Sequence, residues 1–317
     1  MVGCFTTTYV HASHRSTSRL RSAYAAVGVT FAHDSFSVRT LLIHITVGCY
    51  RGIYDDNSFA TSSSPSAATH ANLENDQARA DVKLQNRWSS WNNLLISTSE
   101  LLNRTLNVFN CGFIHKLEFV DIPRYNVLPI LATLPNIKEV TSYLDITNEI
   151  IYRTLKVISP NTSKVNLYPR AEYGNPEKLQ EILIENLDVL IIAPLGGDFR
   201  LHLDDILITN ASKAVYNRLR LSEQDLNRFL KLWNSGKFNT RMEVLQIVVE
   251  EEFNRDAVLN GLHAVELPET IERTFEFSRN QILRKIVFGG YDIRRENGDL
   301  VTVDIRGLHY YNIYFWP

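Results

Sequence analysis

The sequence is short of the residues that most often mark chemistry. Only three cysteines occur in 317 residues, Cys4, Cys49 and Cys111, and their spacing has neither the rhythm of a disulfide framework nor that of a metal site. This points to a reducing compartment, the cytoplasm or nucleus, and leaves the cysteines as small core or incidental residues. The nine histidines contain no His-Glu-x-x-His and join no cysteine cluster of zinc spacing, and His115 and His202 sit beside apolar runs as ordinary imidazoles. No Gly-x-Ser-x-Gly elbow is present. The doublets Gly196-Gly197 and Gly289-Gly290 lack the following Gly or Lys-Ser/Thr of a phosphate cradle, so tight turns account for them. No window approaches the about eighteen apolar residues of a membrane span, and the best run, 41–47, is far shorter. Charge of one sign is missing too. Lys and Arg number 33 against 35 Asp and Glu, a net charge of −2, which argues against a dedicated nucleic-acid surface. The adjacent carboxylates Asp204 and Asp205 fall on a predicted helix, where neighbours point about 100° apart, so they form no catalytic dyad. These absences point to a protein that is not an enzyme, with no cofactor and no metal. Sequons at Asn103, Asn161 and Asn210 are short enough to arise by chance, and the sparse cysteines do not favour secretion.

What is present is apolar patterning, with 44% hydrophobic residues, enough for a real core. The clearest unit spans 221–249. Ser222 is a strong N-cap and Asp225, three residues on, can return the bond as a variant capping box. Leu221 and Leu226 are placed for a hydrophobic staple. Leu226, Phe229, Leu230 and Trp233 recur at helical spacing as one apolar stripe, with Asp225, Arg228 and Lys231 off it. Gly236 supplies the left-handed residue that ends the helix, and the β-branched run from Met242 to Val249 reads as a buried strand.

Upstream, the same theme recurs at intervals of roughly 22 to 30 residues, the range of leucine-rich-type solenoids. Strands are predicted at 117–120, 137–144, 164–168, 189–193 and 213–218. A short return segment at 127–134, interrupted by Pro129, follows the first strand. Helices follow at Thr147 (with Ile150, Ile151, Leu155 and Ile158), at Pro176 (with Leu179, Ile182, Leu183 and Leu187) and over 202–208. Asn254 opens a last short helix, strands follow at 282–288 and 291–293, and Asn297-Gly298 turns a hairpin into a return strand with Leu300, Val301, Val303 and Ile305. The predicted class is α/β, a leucine-rich-repeat-like strand-helix solenoid with a C-terminal β-hairpin cap. Tyr310, Tyr311, Tyr314, Phe315 and Trp316 read as core and capping residues.

The N-terminal part reads differently. Residues 1–33 contain no acidic residue and several Arg and Ser, a composition shared with transit peptides, but the amphipathic face is weak and a basic tail is the simpler reading. Residues 36–54 hold one or two strands, and 55–80 is a Ser-, Ala- and Asn-rich linker. Trp88, Trp91, Leu94 and Leu95 begin a helical stripe, with a second capping box at Ser97 and Glu100. The organisation is therefore 1–80 as a poorly ordered segment and linker, and 81–317 as the repeat domain.

The wording of several stretches adds a family. Leu-Ser-Glu-Gln-Asp-Leu-Asn-Arg-Phe-Leu-Lys-Leu-Trp-Asn-Ser-Gly over 221–236, then Arg-Met-Glu-Val-Leu-Gln-Ile over 241–247, closely resembles the type 2 F-box-associated domain of Caenorhabditis F-box proteins. Leu-Asn-Val-Phe-Asn-Cys at 106–111, Leu-Pro-Glu-Thr-Ile-Glu-Arg at 267–273 and Gly-Gly-Tyr-Asp-Ile-Arg-Arg-Glu-Asn-Gly at 289–298 are similar to further stretches of that family. The likeness covers about residues 90 to 317, and Asp225, Leu226, Asn227, Phe229, Leu230 and Trp233 match its motif as fold residues. The resemblance implies a nematode protein-interaction domain that recruits substrates to a cullin-RING (SCF-type) ubiquitin ligase, with a target protein as partner. It also implies a Skp-type adaptor and a cullin where an F-box is present. No F-box is recognisable in the first eighty residues, so the alternative is a ligase-independent scaffold or decoy binding the same class of target.

Overall fold

The computed structural model describes residues 23–31, 40–49, 66–72, 80–84, 87–91, 100, 103–104, 107, 113–119, 128–132, 136–143, 149–169, 176–195, 201–219, 221–236, 241–249, 251–278, 284–306 and 309–316. The chain divides into two compact units, Met1–Leu144 with Asn148–Thr162, and Ser163–Pro317 with Asp145–Thr147.

In the first unit, strands β1 (Ala23–Phe31), β2 (Thr40–Cys49) and β3 (Ser66–Asn72) are antiparallel neighbours, and β4 (Ala80–Leu84) pairs with β5 (Arg87–Trp91) in a separate hairpin. Here the sequence reading is corrected. Trp88 and Trp91 belong to a strand, because a spacing of three over so short a window fits a helical stripe without excluding an extended aromatic-rich segment. Leu94 and Leu95 lie outside the described residues. β1 falls within the stretch read as a basic tail and β3 within the stretch read as a linker. Glu100, Asn103, Arg104 and Asn107 are helical, with Arg104 donating to Glu100 one turn back. β6 (Ile114–Phe119) runs parallel to β1 and to β7 (Ile137–Ser142). The predicted return segment is a single turn, α1 (Leu128–Leu131), with Pro129 in its first turn, where a missing amide hydrogen costs no helical bond. Helix α2 (Glu149–Ile158) buries Ile151, Leu155 and Ile158.

The second unit holds β8 (Lys164–Leu167), β9 (Val189–Ile192), β10 (Lys213–Leu219) and β11 (Val244–Val249), parallel and side by side in chain order. Between them come α3 (Pro176–Leu183), α4 (Leu203–Ile208) and α5 (Glu223–Asn234), and α6 (Arg255–Leu259) follows β11. The chain then makes β12 (Val265–Glu276), β13 (Arg284–Arg294), β14 (Leu300–Arg306) and β15 (Tyr310–Trp316), an antiparallel meander whose last strand returns beside β11. The fold is mixed α/β. Its C-terminal part has four strands where the sequence suggested one hairpin. Beyond that hairpin, β15 carries the C-terminal aromatics read as core and capping residues, and β12 is polar, mostly exposed and contains Pro268, so it shows no alternation.

Helix α5 forms as its sequence dictates. The Ser222 hydroxyl accepts from the Asp225 amide at 3.1 Å, and the Asp225 carboxylate accepts from the Ser222 amide at 3.0 Å, so two orphan donors of the first turn are satisfied. Leu226, Phe229, Leu230 and Trp233 are buried, and Gly236 has φ +74° at the C-terminal end. Ser222→Ala is expected to lower stability by about 1 kcal/mol, read as a shift in the urea midpoint with unchanged slope.

The doublet Gly289-Gly290 is not a tight turn. It sits inside β13, where β12 bulges between Leu267 and Glu272. Both glycines have positive φ, and a Cβ on Gly289 would lie 2.9 Å from the Leu267 carbonyl oxygen. The doublet therefore lets the two backbones approach at the bulge. Gly196 and Gly197 lie outside the described residues.

Candidate protein-interaction face

Pairing register in the second unit separates the two faces of its sheet. Val165, Leu190, Ala214, Leu245 and Ile313 align in one row across five strands, and Leu167, Ile192, Tyr216, Ile247 and Tyr311 in the next. All are buried. The helices cover this face. Phe229 and Trp233 meet Phe315 with ring centroids 6.5 and 5.8 Å apart, Phe253 meets Tyr311 at 5.3 Å, and the Tyr216 hydroxyl lies 2.5 Å from Thr209 Oγ1.

The alternate residues make the opposite face, which is helix-free among the described residues. Its central row runs Asn166, Ile191, Val215, Gln246, Asn312 and Asp304 across six strands. Gln246 Nε2 donates to Asn312 Oδ1 at 2.7 Å, Asn312 Nδ2 reaches Asp304 Oδ2 at 3.4 Å, and Arg306 Nε donates to the same oxygen at 2.8 Å. Asp304 is thereby a buried carboxylate with a charge partner. A row towards one end of the strands carries Asn217, Val248, Tyr310 and Arg306, with Tyr310 55% exposed. A row towards the other end carries Lys164, Val189, Lys213, Val244, Tyr314, Thr302 and Asp292.

The end of the β12–β13 hairpin closes over that last row. Phe275 packs on Tyr314 and Trp316 with centroids 5.3 and 5.2 Å apart, in a cluster with Val244 and Val287. Ser278 donates from its amide and hydroxyl to Glu243 at 2.7 and 2.6 Å. Arg273 anchors the hairpin. Its guanidinium grips Asp292 through two bonds of 3.0 Å, donates to Thr302 Oγ1 at 3.0 Å and lies 4.9 Å from the Trp316 ring centre, while Trp316 Nε1 donates to the same threonine at 2.7 Å. Among the described residues, what stays open is the strip of Ile191, Val215, Asn217, Gln246 and Val248, half-buried and mixed apolar and amide, beside exposed Tyr310. Such a strip offers short apolar contacts between hydrogen-bonding groups, the composition of a protein-binding surface rather than of a catalytic cleft.

Residues 178–247 match the F-box-associated family. The matched stretch contains β9, α4, β10 and α5 and most of α3 and β11, so it supplies the middle strands of the helix-free face. No curated protein and no solved structure matches the chain.

Within the matched segment, the motif residues fall into two groups. Leu226, Phe229, Leu230 and Trp233 point into the core beneath the sheet. Asp225 closes the capping box, and Asn227 donates to the Val258 and Asn260 carbonyls at 2.7 and 2.9 Å, tying the end of α6 to α5. None of the six lies on the helix-free face. That face comes from residues the sequence reading passed over as strand interior: Asn166, Gln246 and Asn312 each interrupt an apolar run with an amide. Asp204 is exposed and Asp205 buried, so the two diverge as helical geometry requires, and His202 is the N-cap of α4. Among the described residues, no group of His, Cys, Asp or Glu could hold a metal ion, and no helix is long and apolar enough to cross a membrane.

Two phenols carry a pH signature. Burial pushes the Tyr216 hydroxyl well above its ordinary range, and the nearby Asp205 charge adds to the rise while the Thr209 hydrogen bond opposes it. Burial, with the Asp304 charge behind it, does the same to Tyr314. The folded state thus keeps both protonated while the unfolded chain ionises from about pH 10, so their contribution to stability is whole below that pH and falls as pH rises. Phenolate absorbance from these two is expected only on alkaline unfolding, as tested by comparing titrations of the parent, Y216F and Y314F. The Tyr314 hydroxyl has no partner among the described residues, so Y314F is expected to be neutral or slightly stabilising, whereas Y216F costs about 0.5–1.5 kcal/mol.

Proposed function

We propose that the chain is a recognition protein whose helix-free face captures a target protein for a cullin-RING ubiquitin ligase, acting by binding and without catalysis of its own. The observation that carries this reading is the coincidence of two stretches: the F-box-associated match at 178–247 and the strands β9 to β11 at the centre of that face. F-box proteins pair such a domain with an F-box that docks on a Skp-type adaptor, and this chain resembles their recruiting half. Four parallel strands in chain order, with the described helices on one face, support the further reading of a short leucine-rich-repeat-like solenoid that the C-terminal meander closes. The work of such a subunit belongs in the cytoplasm or nucleus, where the ligase acts.

The test is affinity capture of the full chain from nematode extract, with and without proteasome inhibition. A Skp-type adaptor and a cullin are expected in the capture, together with a target that accumulates under inhibition. Capture of a target with neither adaptor nor cullin, and no change in its level, contradicts the ligase half and leaves a ligase-independent scaffold.

A further inference from the structure

We propose that β12 is a docking edge, taking up by strand addition an extended segment of a partner protein in which basic and apolar residues alternate. This site is separate from the helix-free face and stands whether or not that face recruits targets. Among the described residues, β12 is the outermost strand of its sheet and pairs only with β13. A strand so placed presents a row of backbone donors and acceptors on its open side, which another chain can extend.

The two halves of β12 differ. Over Leu267 to Glu272 the strand bulges and contains Pro268, which removes a donor, so this half is guarded against pairing. From Glu272 to Glu276 five consecutive residues pair without interruption with Phe288 back to Arg284. This half offers a regular ladder. Its inward residues, Arg273 and Phe275 with Val287 opposite, belong to the closed hairpin cluster, and Phe277 packs beside it. Its outward residues, Glu272, Thr274 and Glu276, are exposed, and next to them on β13 stand Phe288 and Ile286, 45% and 48% exposed.

An added strand would alternate in step. Side chains on its inward face would lie beside Phe275 and Phe277 and extend an apolar cluster. Side chains on its outward face would lie beside Glu272 and Glu276, where lysine or arginine pairs across strands and lays its aliphatic stem over Phe288 and Ile286. The charge of β12 selects the same partner. Four glutamates, Glu266, Glu269, Glu272 and Glu276, face one arginine, Arg273, which Asp292 already occupies. Tyr291 bonds Glu266 and Arg284 pairs with Glu276, but Glu269 and Glu272 make no ion pair among the described residues. An acidic strand, including the β12 of a second copy, would be repelled.

The test measures fluorescence anisotropy of a short labelled peptide alternating lysine and valine against the full chain, with hydrogen exchange read on the same mixture. Saturable binding is expected, weakened at least about fivefold in E269K/E272K, whose thermal midpoint should match the parent because both positions are exposed. The same peptide with central prolines should not bind, since proline cannot donate to a ladder. Amides of 272–276 should slow on binding. Equal binding by E269K/E272K, equal binding of the proline peptide, or protection confined to another strand overturns the proposal. So does a dimer of the unliganded chain in sedimentation that E269K/E272K abolishes, which would make the edge a self-association surface.

Discussion

Replacing Trp233 by alanine is expected to cost about 3–5 kcal/mol of stability, the range for truncating a large buried aromatic. Three layers meet at this side chain. It is 5% exposed at the end of the α5 stripe, its ring meets Phe315 of β15 at 5.8 Å, and the Arg295 guanidinium lies 4.0 Å over its face. Arg295 in turn pairs with Asp299 at the Asn297-Gly298 turn, where the Asn297 amide and Arg295 hold the Asp299 carboxyl below its usual range. Alanine would open a cavity under the sheet and strip Arg295 of its stacking partner at once. Trp233→Phe fills part of the space and should lose markedly less. Urea unfolding of both variants checks this, and a loss under about 1 kcal/mol for Trp233→Ala would mean that α5 is not clamped to β15 as described.

Removing Asp292 is the second large effect. Asp292→Ala leaves the Arg273 guanidinium partly buried without its carboxylate and takes an acceptor from Thr302. Breaking a fully buried pair costs about 3–5 kcal/mol, and because both side chains here remain about a fifth exposed, solvent screening lowers the expectation to about 2–3 kcal/mol. The double variant R273M/D292L should recover much of that loss, since it removes the stranded charge along with its partner. A double-mutant cycle by thermal unfolding reads the coupling directly. Additive losses would show that the hairpin is held by its apolar cluster alone.

How much was legible in the sequence follows from which forces are local. α5 could be read whole, cap, stripe and terminator, because each signal lies within four residues of the next. Of the parallel strands, β9 and β11 stood out as dense apolar runs, while β8 and β10 were fainter because Asn166 and Asn217 dilute their alternation. β12 was hidden since an exposed edge strand needs no alternation, and the Trp88–Trp91 pair misled because a spacing of three matches a helical stripe, whereas positions three apart on a strand such as β5 fall on opposite faces. The helix-free face was the least legible. Asn166, Gln246 and Asn312 are single polar residues in separate strands, and only the pairing register brings them into one row. The family wording pointed to Asp225, Leu226, Asn227, Phe229, Leu230 and Trp233, which build the layer beneath that face.

The central claim, that the helix-free face recruits the target, is tested most directly by quantitative affinity capture with two full-chain variants. Val215→Arg alters a half-buried residue of the open strip, and Tyr310→Ala removes the exposed aromatic at its margin. The account predicts that both keep the parent's thermal midpoint within a few degrees, and that both lose most of the captured target. A target recovered in full by both variants would contradict it and move the recruiting surface elsewhere on the protein.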